Sequence, residues 1–480
     1  MAGTSIPPGN PGQPKQVLID DPMLLDAGRI ADEEGIELYV VGGYVRDKLL
    51  ERAVSDADLL VIGDGIGFAK LFARKSGGRQ VVAFEKFGTA MIPFEERKLE
   101  FVSAREESYE ASSRKPAVKR ASLASDLARR DFSVNAIAVS LNRERRGEMV
   151  DPFDGVSDIA RKVIRTPLAP DRTFDDDPLR MMRAIRFASQ LDFAIDPPAL
   201  ESIVRNAGRI TIVSQERVTD EFLKILRSKK PSVGLKLLHD TGLDKHVFPE
   251  LVDLVGTEQR KDYHHKDVFL HTLKVVDNIS ENTEDVWLRF TALVHDIAKP
   301  RTKAFKEGTG WTFHGHEELG ARMMKTVFRR MKLPLDKLPY VERLVRLHLR
   351  PMVLVSEEVT DSAVRRLLFE ARELIDDLMT LCRADITSQN PGRVARYLRN
   401  YDIVMEKMRE VEEKDRLRNW QPPVRGEEIM SVCGLEPGPV VGILKKRIEE
   451  AILEGEIPNE HDAALAYLLA IKDQVLQDTG

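Results

Sequence analysis

The sequence predicts an α+β fold, an N-terminal mixed sheet with helices followed by a long all-helical part. Six short runs of strand character fall between residues 18 and 165. Beyond about residue 170 helix follows helix, punctuated by Pro, Gly and Asn, with no convincing strand run. The length of 480 residues corresponds to roughly three domains at about 150 residues each.

Taken in order, residues 1–17 are rich in Gly and Pro, lack an apolar period, and are expected to form a mobile tail. The strand runs are Ile36–Val41, Ala57–Ile62, Val81–Phe84, Thr89–Pro93, Leu99–Ser103 and Ala136–Leu141. They define a mixed module over 18–165. A helical segment follows over 166–255, then a His-rich helical segment over 256–390 that ends near Asn390-Pro391-Gly392, and a helical tail over 391–480.

Lys plus Arg number 73 against 78 Asp plus Glu, a net charge of −5. That excludes a uniformly basic protein that coats nucleic acid, but not local basic faces. With 42% hydrophobic and 31% charged residues, the chain reads as globular. Apolar runs such as Leu59–Ile62 are far too short to cross a bilayer, and the N-terminus lacks a secretory signal. The two cysteines, Cys382 and Cys433, each without a nearby partner, argue against a disulfide scaffold and a Cys-based zinc site and point to a reducing cytoplasm. A monomer or homodimer without membrane contact is expected.

The first cluster of chemistry lies early. In Tyr39-Val-Val-Gly-Gly-Tyr-Val-Arg-Asp47, Gly42 and Gly43 follow a strand and precede a helix, where a bare backbone and free N–H groups can approach phosphate. In Ser55-Asp56-Ala57-Asp58, the two carboxylates share one strand face. Held close together they need a cation, and oxygen ligands suit Mg²⁺ bridging to substrate phosphates. Glu100, on a later strand, is placed to join them.

Gly42-Gly43-Tyr-Val-Arg46-Asp47 followed by Asp56-Ala-Asp58 resembles the class II tRNA nucleotidyltransferases, the CCA-adding enzymes, a family that also includes bacterial poly(A) polymerases. Further segments resemble the family's later motifs in order: Arg129-Arg130-Asp131-Phe-Ser-Val-Asn135, Asp151-Pro-Phe-Asp154-Gly155, Asp176-Asp177-Pro-Leu-Arg180-Met-Met-Arg183-Ala-Ile-Arg186, and Glu216-Arg217-Val-Thr-Asp-Glu221. The fourth opens with Asp-Asp where the family usually has Glu-Asp. The resemblance implies a polymerase-beta-like nucleotidyltransferase head with a five-stranded sheet, then helical neck, hydrolase and tail regions. It implies template-independent addition of CMP and AMP from CTP and ATP to tRNA 3′ ends, with Mg²⁺ at Asp56 and Asp58 activating the RNA 3′-hydroxyl and stabilising pyrophosphate. Arg129, Arg130, Asp131, Asn135, Arg183 and Arg186 would contact the nucleotide, as would Arg46 and Asp47.

Asp177 and Arg180 stand three apart on an expected helix and so share a face. Arg offers donors and ionised Asp acceptors. Cytosine and adenine both present an amino donor beside a ring-nitrogen acceptor, and uracil and guanine reverse the pattern. Such a pair would accept C and A and reject U and G without a template, a use the resemblance implies.

Seven of the ten histidines fall between 264 and 348: His264, His265, His271, His295, His314, His316 and His348. His271, then His295-Asp296, then Asp385 resemble in order the HD phosphohydrolase superfamily. The resemblance implies that His271, His295, Asp296 and Asp385 bind one divalent metal for phosphoester hydrolysis. His316 and His348 would serve a second metal or a phosphate.

Residues 321–350 carry nine Lys or Arg against two acids. Arg322, Lys325, Arg329, Arg330 and Lys332 are candidates for an RNA-facing surface. Arg114, Lys115, Lys119, Arg120, Arg129 and Arg130 add a second basic run. The alternatives are a poly(A) polymerase, a partial (CC- or A-) adding enzyme, and a phosphohydrolase whose head only binds RNA.

Overall fold

The computed structural model describes residues 16–54, 56–94, 97–108, 117–120, 122–257, 267–308, 310–356, 360–388, 390–415 and 423–479. The chain forms two compact units, Met1–Val247 and Phe248–Gly480.

The first unit opens on helix α1 (Pro22–Glu33), started by the Asp21 side chain accepting the Met23 N–H at 2.9 Å and by Pro22 in its first turn. Strand β1 (Leu38–Val41) is buried at every residue, as a central strand covered on both faces must be. Helix α2 (Gly43–Leu49), strand β2 (Ala57–Val61), helix α3 (Gly65–Lys75) and strands β3 (Val82–Phe84), β4 (Thr89–Pro93) and β5 (Lys98–Ser103) follow. Next come β6 (Arg105–Ser108), β7 (Ala117–Arg120), α4 (Leu123–Ala128), β8 (Ala138–Ser140), β9 (Met149–Val150), α5 (Gly155–Arg161) and β10 (Val163–Ile164).

One seven-stranded sheet runs β3-β4-β5-β2-β1-β8-β9. The β2–β5 pair is parallel and the other neighbours antiparallel, so the sheet is mixed. Phe68 and Phe72 of α3 pack on Phe101 of β5, with centroids 5.8 and 5.5 Å apart. Gly28 lets α1 lie against β8's continuation, since a Cβ there would meet the Leu141 carbonyl oxygen at 2.2 Å.

Two expectations are corrected. The sheet has seven strands, not five, because β9 and β3 extend its two ends. Strands also occur after residue 170. Strand β11 (Ala194–Ile195) pairs in parallel with β10, and β12 (Ala304–Lys306) with β13 (Gly310–Thr312) makes a hairpin. At two or three residues each they are too short to show a period.

Helices α6 (Pro170–Asp176) and α7 (Leu179–Leu191) carry the fourth motif. Among its described residues the second unit is helical apart from the hairpin and its connecting turns, with Phe248, Phe290 and Phe328 clustered together. No described helix is long and apolar enough to cross a membrane.

Candidate active sites

In the first unit, register builds the site. Val41 pairs with Asp58 across β1 and β2, and Asp58 pairs with Glu100 across β2 and β5. Paired residues put their side chains on the same sheet face, and Asp56 shares that parity with Asp58. Three carboxylates therefore gather beside the turn that follows Val41. The Asp56 side chain also accepts the Lys98 backbone N–H at 3.1 Å. Burial raises the Asp58 pKa, opposed by Arg130 and Lys98 and reinforced by Asp56. Ser55 lies outside the described residues.

Gly42 makes the turn at φ +73°, a conformation that favours glycine. A Cβ there would stand 3.0 Å from Arg130 Nη1 and 3.6 Å from Asp58 Oδ2. The glycine thus keeps open the space between the carboxylates and Arg130, with Gly43 opening α2 beside it.

Behind this face a polar net runs through the buried side. Arg46 forks onto Asp47 at 2.9 and 2.8 Å and donates to Asn135 Oδ1 at 2.7 Å. Asn135 donates to Asp131 Oδ1 at 3.0 Å, and Arg183 forks onto Asp131 Oδ2 at 2.8 and 2.5 Å. Burial pushes the Asp131 pKa up, but Arg183 and Asn135 outweigh it and hold the carboxyl well below its usual range. Arg186 faces buried Glu221 at 3.2 Å. Arg46 and Arg186 both engage protein partners in this arrangement. Arg129 and Arg130 both pair with fully buried Asp126.

Asp177 and Arg180 do not share one helix. Asp177 ends α6 in an extended conformation (φ −144°, ψ 101°), because Pro178 excludes the helical one. Arg180 lies in the first turn of α7. The junction still brings them together, with the Arg180 N–H donating to the Asp177 carbonyl at 2.9 Å. The Arg180 guanidinium donates to the Arg129 carbonyl at 2.7 Å, and Asp177 Oδ2 faces Arg217 at 3.2 Å. The third motif acts locally, with Asp151 accepting the Gly155 and Val156 N–H groups at 2.7 and 2.9 Å to start α5.

In the second unit the metal-type side chains sit at helix ends. His271 is in the first turn of Val268–Ser280, and His295-Asp296 follow Val286–Val294. His316 begins His316–Met331, His348 follows Leu338–Leu347, and Asp385 follows Ile375–Ala384. Nε2 of His271 lies 2.9 Å from Asp385 Oδ1 and 3.5 Å from Asp296 Oδ2. Nε2 of His295 lies 3.1 Å from Asp296 Oδ2, and Nε2 of His316 lies 3.2 Å from Asp296 Oδ1. His316 and His348 meet at 3.3 Å through their Nε2 atoms.

Each of these four rings engages a neighbour through Nδ1: Thr387 Oγ1 at 2.9 Å for His271, and the carbonyls of Ala292, Phe313 and Val345 at 2.8, 2.7 and 2.7 Å for the others. Donation to a carbonyl fixes the tautomer and leaves Nε2 as a lone pair, the arrangement of a metal-ligating histidine. His295 Nε2, Asp296 Oδ2 and Asp385 Oδ1 are buried and lack an aligned hydrogen bond, despite short approaches such as Lys299 Nζ at 2.6 Å from Asp296. Among the described residues, two buried groups have the spacing to hold a cation: His271, His295 and Asp296, and Asp296, His316 and His348. The donor set fits divalent transition metals. Burial depresses the His348 pKa to about 3, with His295 adding to the effect. At His295 burial also lowers the pKa, but Asp296 and Asp385 overcome it and raise it to about 10.

Of the basic candidates, Arg322, Lys325 and Arg329 project from the exposed side of His316–Met331, and Lys332 is exposed just beyond it. Arg322 pairs with Glu318 at 3.0 Å. Arg330 differs from these in that its guanidinium forks onto buried Glu250 with both contacts at 2.6 Å. Arg114, Lys115, His264 and His265 lie outside the described residues.

Comparison with known proteins settles the family. The poly A polymerase head domain matches residues 38–165, the probable RNA and SrmB-binding site of polymerase A residues 192–254, and the HD domain residues 268–390. The chain is 33% identical over 438 residues to the A-adding tRNA nucleotidyltransferase of Deinococcus radiodurans, covering 88% of this chain and 93% of that protein. The chain belongs to the tRNA nucleotidyltransferase family. It is 31% identical over 449 residues to the CC-adding tRNA nucleotidyltransferase of Thermus thermophilus, covering 90% and 93%. It is 32% identical over 363 residues to the multifunctional CCA protein of Nitrosococcus oceani, covering 73% and 84%. The Bacillus stearothermophilus CCA-adding enzyme in complex with CTP superposes with a TM-score of 0.64 at 24% identity, covering 95% of this chain and 100% of that one. These relatives do not favour the poly(A) polymerase alternative. As a member of this family the chain is a nucleotidyltransferase with an HD domain, and both kinds of domain generally use divalent metals.

Proposed function

We propose that the chain adds CMP and AMP to the 3′ end of tRNA from CTP and ATP, and that its HD site hydrolyses phosphoesters. The head spans 18–165, the neck 166–255, the HD region 256–390 and the tail 391–480. The observation that carries the first reading is the register of Val41, Asp58 and Glu100, which gathers carboxylates beside Gly42 and Arg130.

Asp56, Asp58 and Glu100 hold Mg²⁺ in this reading. Bound there, it supplies activation of the 3′-hydroxyl and neutralisation of the pyrophosphate. The protein's own work is positioning and charge. Arg129 and Arg130, backed by Asp126, meet the triphosphate. The net of Asp131, Asn135 and Arg183 holds that face in place. Asp177 and Arg180 read the base, which explains how an enzyme without a template can prefer C and A. Lys325 and Arg329 offer a face to RNA phosphate. In the HD region His271, His295, Asp296 and Asp385 hold one divalent metal, and His316 and His348 serve a second. The two free cysteines accord with a reducing cytoplasm.

The test is incorporation of labelled CTP and ATP, separately and together, into tRNA lacking its terminal CCA. Addition of two C and one A, then arrest, is expected. Long A tracts from ATP alone, C only, or A only after CC would replace the reading. No incorporation would overturn it.

A further inference from the structure

Between Asp296 and His316 the helices of the second unit are interrupted by the β12–β13 hairpin. Its register sets Phe305 opposite Trp311 and Ala304 opposite Thr312. The two-residue strand period therefore continues the Phe305–Trp311 face through Lys303 and Phe313. The rings of Phe305 and Trp311 meet edge-on at 5.2 Å, and Lys303 Nζ lies 4.4 Å from the Trp311 ring. At the other end, Lys299 Nζ stands 5.7 Å from the Phe313 ring and 2.6 Å from Asp296 Oδ2. The Phe313 carbonyl also engages His316 Nδ1 at 2.7 Å. Contacts thus lead from the candidate metal ligands through Lys299 to Phe313, and strand parity places Phe313 on the face that Trp311 and Phe305 continue. Phe305 ends that face and is 67% exposed.

Packing does not explain this face. An exposed Phe on a three-residue strand buries little, and such a hairpin is marginal alone. The charge of residues 299–307 is one-sided: Lys299, Arg301, Lys303 and Lys306 against Glu307. Rings interleaved with cations suit a flat base that carries a phosphate. Phe313 stands two residue steps from Trp311, about 7 Å of rise, comparable with the reach from phosphate to base within one nucleotide.

We propose that this face is a base-stacking subsite of the HD centre, binding a nucleoside phosphate with its phosphate toward Lys299 and its base on Trp311 and Phe305. The assignment rests on the HD reading above and adds the part of the ligand that the metal ligands do not touch.

The test follows tryptophan emission of the full-length chain during titration with adenosine 3′-monophosphate. Saturable quenching is expected, and it should vanish in Trp311→Phe although Trp287 and Trp420 remain. Phe305→Ala should weaken binding about tenfold or more, the loss expected for one stacking partner. Inorganic phosphate should not quench. Absent quenching in the wild type, quenching that survives Trp311→Phe, or unchanged affinity in Phe305→Ala overturns the subsite. Hydrolysis of adenosine 2′,3′-cyclic phosphate is measured in parallel. Binding without hydrolysis fails the hydrolase reading alone, and hydrolysis without Trp311-dependent quenching fails the subsite alone.

Discussion

Replacing Asp131 by Asn tests the net behind the nucleotide face. The side chain keeps its shape, but Oδ2, which accepts two N–H groups of Arg183 at 2.8 and 2.5 Å, becomes neutral or turns a donor toward donors. A hydrogen bond to a charged group contributes about 1.5–3 kcal/mol. Two are lost, but the Arg183 side chain is 33% exposed, so water recovers part. A net cost of about 3 kcal/mol follows, or a fall of roughly 6–12 °C in Tm for a unit of this size. Asp131 titrates lower in the folded protein than in the unfolded chain. Its contribution is therefore present above the unfolded value near pH 4 and fades as pH falls below it. The gap between wild type and variant should be full at pH 7 and narrow in acid. Thermal unfolding by circular dichroism at several pH values measures it, and nucleotide incorporation should show KM rising as the net loosens. A variant within about 2 °C of wild type at pH 7, or a gap that widens in acid, refutes the reasoning.

Asp58→Ala should lower nucleotide incorporation by about 10³-fold or more, with unfolding little changed, since it removes a metal carboxylate from a cluster that burial disfavours. Asp177→Asn should reduce discrimination of CTP over UTP by roughly ten- to a hundredfold, measured by competitive incorporation, because one acceptor becomes a donor. Gly42→Ala should cost about 1–2 kcal/mol from its φ of +73° and cut incorporation through crowding of Arg130. His295→Ala should reduce metal bound per chain by elemental analysis and leave nucleotide addition intact.

Much of this was legible in the sequence for identifiable reasons. Asp56 and Asp58 follow from strand parity, and Glu100 needed only a neighbouring strand to reach them. The relation of Asp177 to Arg180 was misread as one helix, although Pro178 carried the signal that Asp177 would leave the helical region. Arg330 looked like its exposed neighbours because nothing local marks its partner, Glu250, eighty residues away. The commitment of Arg46 to Asn135 and of Arg186 to Glu221 is equally non-local. The β12–β13 hairpin had a cue in Gly308 and Gly310 between Phe305 and Trp311, but its strands were too short for periodicity to register.

The two candidate centres differ in kind, and the difference bears on how one chain runs both. The first offers carboxylate oxygen only, from Asp56, Asp58 and Glu100, which suits a hard cation shared with a substrate's phosphates. The second offers four imidazoles with Asp296 and Asp385, a set that favours transition metals in the order of their general affinity. Mg²⁺ sheds its water reluctantly and has little preference for imidazole nitrogen, so on the proposed function Mg²⁺ would serve the first centre without displacing a metal held by the second. The Nδ1 contacts of His295, His316 and His348 with backbone carbonyls reinforce this, because a ring already oriented toward the site loses little freedom when it binds. On the proposed function, ligand chemistry thus keeps the two centres from competing for one ion.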